Sequence, residues 1–334
     1  MATLKDVAQR SGVSLSTVSI VARGQGEARK ISEATQERVR EAMRELGYVP
    51  NAAARSLRGG AARQTLALFW ADDYRESMLA RFLGGLHMAI EKHGLDWDVA
   101  VVSYRAGRLS EASPLAGAAT FDMAVVANAE AADLEFLANK PSLVPAVLYN
   151  RRLDGVGSVA VDDAEVGHLA AQLVIESAAA RGAADGDAGV ALCLSSSSAF
   201  SGARAREEAF VAALAEAGIR SRRAVVSQVS ADAGFDALSA PGALDGVSWV
   251  FAPGDNVAMG ALHALHALGV EVPAQVGVVA VGTGVREYAE HSFPPLTCVE
   301  IPMEKMAAGC VDLLRARSAE EKRAEPKVAR RASL

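Results

Sequence analysis

From residue 64 onward, short apolar runs alternate with longer stretches of helical periodicity. The strand-like runs are TLALFWA (65–71), DVAVVS (98–103), DMAVVA (122–127), PAVLY (145–149), SVAV (158–161), GVALCL (189–194), SWVFA (248–252) and VGVVAV (276–281). Helical periodicity covers 75–93, 130–138, 163–181, 202–217 and 254–268. Continuous apolar strands with helices between them predict parallel sheets buried on both faces. These are too many strands for one sheet of ordinary width, so two α/β lobes are expected. No repeat of fixed period runs through the chain.

The first 60 residues follow another pattern. Leu4, Val7 and Ala8 share one helical face, Thr3 reads as the N-cap and Asp6 as its capping-box partner. Gly12 stops that helix. Ser14 caps a second one, from Leu15 to about Ala22, with Val18 and Val21 turned inward. Two helices separated only by SGVS have helix-turn-helix spacing. After a polar loop (23–30), Ser32 caps a third helix, with Val39, Ala42, Met43 and Leu46 as its buried stripe and Gly47 as its end. Pro50-Asn51 then breaks the chain. The segment AAARSLRGGAAR is too poor in apolar anchors to fold alone. It reads as a linker with helical potential over 52–58, ended by Gly59-Gly60. The division expected is 1–49, 50–63 and 64–334.

Charge sharpens this division. Residues 1–60 carry ten Lys and Arg against six Asp and Glu, or +4, leaving −10 on the remainder of a chain whose net charge is −6. A small basic head on an acidic body is the distribution of a DNA reader joined to a separate sensing or assembly domain. No apolar run reaches the ~18–20 residues of a membrane span, and MATLKDVAQR has no signal-peptide core. Cys193, Cys298 and Cys310 are odd in number and far apart, which excludes a disulfide framework or a CxxC metal site and fits a reducing cytoplasm.

Catalytic signatures are missing: no P-loop, no GxSxG elbow and no HExxH. GVGSVA (155–160) matches a dinucleotide pattern but precedes a strand, where that motif needs a helix. His263 and His266 share a helix without a carboxylate or thiol set beside them, and read as ordinary helix residues. SSSS (195–198) lies between a strand and a helix; it reads either as a source of ligand hydroxyls, Ser197 among them, or as a plain polar loop. The expectation is a non-enzyme without cofactor or metal.

The head as a whole, TLKDVAQRSGVSLSTVSIVARG followed by ISEATQERVREAMRELGYVPNAAARSLR, closely resembles the lactose/galactose-repressor (LacI/GalR) family, with LGYVPN and ARSLR in order at family spacing. The body is similar more loosely, through VAVDDAEVG, RAREEAFVAAL, GDNVAMGAL, VGVVAVG, PPLTCVEIP and the terminal ARRAS. The resemblance implies a helix-turn-helix head, a hinge helix and a two-lobed body like periplasmic binding proteins, α/β in class. The first lobe would comprise about 64–161 plus 296–322, the second about 162–293 plus 323–334. It also implies a cytoplasmic transcription regulator, most simply a repressor, that binds a near-palindromic operator as a homodimer (a tetramer is the alternative).

In that scheme Leu15, Ser16 and Ile20 meet base edges, Thr17 and Ser19 lie near phosphates, and Thr3, Arg23 and Lys30 add contacts to the DNA backbone. Ile20 stands where the family commonly has Arg, so a bidentate guanine contact gives way to apolar contact. The hinge would contribute Asn51, Arg55, Leu57 and Arg58, with Leu57 wedged into the minor groove; its docking on the body is the other reading. A small effector, a sugar, sugar phosphate or other small acid, would sit between the lobes, among Asp72, Tyr74, Asp162, Ser197, Arg206, Asp255 and Phe293. Three family positions are altered: Gly282 for an Asp, Gly254 for an Asn and Val229 for a stacking Trp. These losses weaken an ordinary sugar site. Arg206 would serve an anion such as a sugar phosphate or other small acid. The rivals are a regulator with no small effector or with a protein co-regulator and, from another class, a solute-binding protein or enzyme.

Overall fold

The computed structural model describes residues 3–22, 29, 31–46, 63–72, 76–112, 121–139, 144–182, 189–196, 201–226, 228–284 and 286–334. Two compact units divide the chain: Met1–Trp70 with Asp96–Ala146, and Ala71–Leu95 with Val147–Leu334.

In the first unit the head forms α1 (Leu4–Ser11), α2 (Leu15–Ala22) and α3 (Glu33–Glu45). Val7, Val18, Val21, Val39 and Ala42 make its core. Thr3 and Asp6 form the expected capping box, and Gly12 closes α1 in the left-handed conformation, which glycine adopts without a Cβ penalty. Leu46 departs from expectation. It lies in a turn beyond α3 rather than on its inner stripe, and is 36% exposed. The same unit holds β1 (Gln64–Asp72) up to Trp70, β2 (Trp97–Arg105), β3 (Met123–Ala127) and helix Ala131–Asn139 (α5; α4 falls in the second unit). Strands β1 and β3 pair in parallel, with Leu66 opposite Met123 and Trp70 opposite Ala127. Residues Leu66 to Ala71 are all buried, which is why that run is apolar without alternation. Asp133, fully buried, accepts from the backbone N–H of Gly107, Leu109 and Glu130, so its charge is spent on shaping a turn.

The second unit contains α4 (Glu76–Lys92), β4 (Ala146–Tyr149), β5 (Gly157–Ala160), α6 (Asp163–Ala180), β6 (Val190–Ser196), α7 (Ser201–Glu216), β7 (Arg220–Val226), α8 (Ala231–Ser239), β8 (Val247–Ala252), α9 (Asp255–Ala267), β9 (Gly277–Gly282), α10 (Arg286–His291), β10 (Thr297–Glu300), α11 (Met303–Ala316), β11 (Glu321–Arg323) and β12 (Lys327–Ala329). In the first unit the strands are ordered β3-β1-β2; in the second they are ordered β11-β5-β4 and, in a six-stranded sheet, β12-β10-β9-β8-β6-β7. The expected α/β architecture with two sheets is therefore present. Within the second sheet β12 runs antiparallel to β10, while β10, β9, β8, β6 and β7 are parallel in turn.

One boundary moves. Thr297–Glu300 was expected in the first lobe, but it pairs with β9 in the second sheet, Thr297 opposite Val279. The chain therefore leaves that sheet only at Ile301-Pro302. Ser333 explains part of the terminal ARRAS. Fully buried, it donates to the Val278 carbonyl (2.6 Å) and accepts from Thr297 N–H (2.8 Å), pinning the C-terminus to the sheet.

Candidate DNA-recognition helix and effector site

Helix α2 carries the residues expected to read DNA. Val18 and Val21 anchor it in the core, which turns Leu15 (48% exposed) and Ser16 outward and leaves Thr17, Ser19 and Ile20 half-buried. The Ser14 hydroxyl accepts from Thr17 N–H (3.1 Å) and lies 2.8 Å from both the Ser16 and Thr17 hydroxyls. This network fixes polar groups at the helix N-terminus, where the dipole favours phosphate. Thr3 is committed to α1: its hydroxyl and N–H both donate to Asp6 Oδ2 (2.8 and 2.7 Å), which holds the Asp6 carboxyl below its usual range. Arg23, Lys30, Asn51, Arg55, Leu57 and Arg58 lie outside the described residues, as do Tyr74 and Ser197 of the expected effector set.

Arg206 lies on α7 and reaches the first residue of α6. Its Nε and Nη2 donate to Asp163 Oδ1 at 2.8 and 2.7 Å, and the two side chains are only 7% and 16% exposed. Gly167 brings the helices together: a Cβ there would stand 2.1 Å from the Arg206 carbonyl oxygen. The same face of α7 closes a hollow of about 250 Å³ lined by Leu194, Ser195, Arg206, Glu207, Arg223 and Phe251, among others. Arg223 pairs with Glu207 at 2.5 Å, and Arg204 with Glu208 at 3.8 Å.

The other expected effector residues are otherwise employed. Asp162 caps α6, accepting from Ala164 and Glu165 N–H, and pairs with Arg323 at 3.0 Å. Asp255 is buried at the start of α9, where both its oxygens accept from Gly284 N–H (3.0 and 2.8 Å); burial pushes its carboxyl above the ordinary range. The Gly284 carbonyl accepts in turn from Arg81 (3.1 Å), whose guanidinium also grips Glu304 with two hydrogen bonds. Phe293 is not brought to this group. It is 88% exposed and lines a hollow with His266 and Gly269, past the C-terminal turn of α9, whereas Asp255 is the first residue of that helix. Asp72 is exposed at the end of β1.

Two of the altered positions are tight in this fold. A Cβ on Gly282 would come within 3.1 Å of Glu300 Cγ, and one on Gly254 within 2.8 Å of Asn256 Oδ1.

Asn128, Glu207 and Arg223 were missed in the sequence. Asn128 ends β3 at positive φ, buried, and neither its Oδ1 nor its Nδ2 has a hydrogen-bond partner among the described residues. A polar residue directly after an apolar strand was the available signal, since α/β sheets bind ligands at the carboxyl ends of their strands. The three cysteines are buried, and their thiols are pushed up by burial, which removes them from thiolate chemistry.

A helix-turn-helix head joined to two parallel α/β sheets defines a DNA-binding regulator with a periplasmic-binding-protein-like body. Residues 3–51 match the family described as bacterial regulatory proteins, lacI family, and residues 179–334 match the periplasmic binding protein-like domain. The HTH-type transcriptional regulator CelR of Thermobifida fusca is 30% identical over 93% of this chain and 90% of its own. A solved LacI family transcription regulator from Clostridium acetobutylicum is 25% identical, with TM-score 0.73 over 80% of this chain and 99% of that one. A structure described as a transcriptional regulator CelR-cellobiose complex is 26% identical, with TM-score 0.64 over the whole of both chains. This chain belongs to the lacI family of bacterial transcription regulators, and its relatives are regulators rather than enzymes.

Proposed function

We propose that the protein is a cytoplasmic transcriptional repressor that binds a near-palindromic operator as a homodimer and changes its DNA affinity when a small ligand occupies the body. Residues 1–49 are the DNA-binding head, 50–63 the hinge and 64–334 the sensing and dimerisation part. The observation that carries this reading is the construction of α2: Val18 and Val21 held inward, with Leu15 and Ser16 outward and Ile20 half-buried beside them. Inserted in a major groove, these three meet base edges, while Thr17, Ser19, Arg23 and Lys30 meet phosphates. A two-fold dimer matches two half-sites. Asn51, Arg55, Leu57 and Arg58 would engage the minor groove between them. Among the described residues no helix is long and apolar enough to cross a membrane.

The sensing pocket is assigned to the hollow beside Arg206. The likeness to CelR, solved with cellobiose, makes sugars the first ligands to try. Fluorescence anisotropy on DNA upstream of the gene, with a salt titration, tests the reading. Affinity should fall steeply and linearly on a log–log plot, as several phosphates are neutralised per dimer. A chain lacking residues 1–62 should stay folded and lose all binding. A flat salt response, or retained binding without the head, refutes the assignment. Adding sugars, sugar phosphates and small acids to the same assay tests the sensing part. If none of them shifts DNA affinity, the rival reading takes its place: a regulator with no small effector or with a protein co-regulator.

A further inference from the structure

We propose that Asp163 sets the charge specificity of the pocket beside Arg206. By neutralising that guanidinium it makes the site one for an uncharged, hydroxyl-rich ligand and closes it to acids. This rests on the reading of that hollow as the sensing pocket.

Three cations border the hollow: Arg204, Arg206 and Arg223. Each has its own carboxylate, respectively Glu208, Asp163 and Glu207. The pairs are not equivalent. Arg204 and Glu208 are 75% and 62% exposed, and Arg223 is 51% exposed although its Glu207 is only 14%, so water reaches both of these guanidiniums and they discriminate more weakly than Arg206. Arg206 and Asp163 are withheld from water, where a charge acts at full strength and cannot stay unpaired. Two of the five N–H donors of Arg206 go to a single oxygen of Asp163. An incoming carboxylate or phosphate would therefore have to displace Asp163 or sit beside it, with like charges close together in a poorly screened place. A hydroxyl meets neither obstacle. Glu207, Glu208 and Ser195 can accept from it, and the arginines can donate.

The pair also has a fixed geometry. Asp163 is the first residue of α6, after the Asp162 cap, and Gly167 one turn later holds the α7 backbone against α6. Asp163 is thus placed to meet Arg206 by the packing of the two helices.

Asp163→Asn keeps the shape and an acceptor oxygen for Arg206 but removes the cancelling charge. The probe is inorganic phosphate, titrated by calorimetry against the full-length wild type, D163N, and D163N combined with Arg206→Gln. D163N should bind phosphate about tenfold or more tightly than the wild type, and the double variant should lose that gain. If D163N folds only when phosphate is supplied, and Arg206→Gln removes that dependence, the result has the same meaning. Phosphate binding by the wild type as tight as by D163N, no gain in D163N, or a gain that survives Arg206→Gln each overturns the proposal. So does a D163N chain that stays unfolded in phosphate. These outcomes do not depend on any effect of ligand on DNA binding, so their failure would leave the sensing reading to its own test.

Discussion

Alanine at Gly84 and alanine at Gly85 should move stability in opposite directions. Both glycines lie inside α4, and Ala is worth about 1 kcal/mol more than Gly in a helix interior. Among the described residues a Cβ on Gly84 meets nothing within 4 Å, so that gain is the whole effect there. A Cβ on Gly85 would stand 2.8 Å from Ala307 Cβ, 2.8 Å from Glu304 Cα and 3.0 Å from the Glu304 carbonyl oxygen, all on α11. Carbon atoms in contact prefer about 3.5–4.0 Å, so α11 would have to retreat by roughly 1 Å. Two of the three obstructing atoms are backbone and the third is a Cβ, so no rotamer change can relieve the clash. Overpacking of this kind costs about 1–3 kcal/mol. The upper part of that range applies here and outweighs the propensity gain, for a net loss of about 1–2 kcal/mol. The same retreat would strain the grip of Arg81 on Glu304. Denaturant titration of the full chain, followed by circular dichroism, should place the G84A midpoint above the wild type and the G85A midpoint below it. A G85A protein as stable as G84A would show that α4 and α11 do not approach this closely.

Three further outcomes follow from the same geometry. Arg206→Ala leaves Asp163 buried without its partner, so it should cost about 3–5 kcal/mol. Replacing both residues with leucine should recover most of that loss, and thermal unfolding that finds the single variant unchanged would remove the pair from the account. Asp255 has its carboxyl raised above the ordinary 3.8 by burial, so folding favours its protonated form. That contribution is complete below the unfolded value and is lost as pH rises through the raised folded value. Asp255→Asn should therefore gain melting temperature relative to the wild type as pH climbs from about 4 toward neutrality, then level off; a constant difference across that range contradicts the burial argument. Ile20→Arg should change the preferred half-site rather than abolish binding, adding about 1–3 kcal/mol of discrimination for guanine; a selection from random DNA that returns one consensus for both proteins would take Ile20 out of the base-reading set.

What could be read from the sequence was what local chemistry decides. Runs such as Leu66–Ala71 and Val278–Val281 are buried on both faces, so they stand out as unbroken apolar strands. The head was legible because its caps are local: Thr3 with Asp6 and Ser14 with Thr17 lie three residues apart. Strand β7 was not. RSRRAVV runs along the edge of its sheet with most side chains wet, and its composition looks like a polar loop. The short β11 and β12 depend on pairing with strands far away in the chain, and nothing in EKR or KVA announces it. The missed helix α11 was legible: Met303, Met306, Ala307, Cys310, Val311 and Leu314 repeat at helical spacing.

The candidate site divides along the same line, and Arg206 shows why. Its position on α7 could be inferred from sequence, because helical periodicity and the RAREEAF pattern fix which face it occupies. The net charge it offers a ligand could not, because that depends on Asp163, 43 residues away, and on Gly167 letting two helix backbones close to contact. Read alone, a buried arginine in a pocket is a site for an acid. Read with its partner it is a neutral, rigid pair, and the expected ligand changes class. The same reasoning covers Asp162 and Asp255, each of which looks like a free carboxylate beside a strand end but spends its charge on helix N-termini, on Arg323 or on the Gly284 N–H. In a pocket assembled from strand ends and helix starts, residue type at a position gives the candidates for binding. Which of them still has hydrogen bonds and charge to offer is settled by partners the fold brings in from elsewhere in the chain. By the same measure Asn128, at the end of β3, keeps hydrogen-bonding capacity that these carboxylates have spent, since its side-chain polar atoms meet no partner among the described residues.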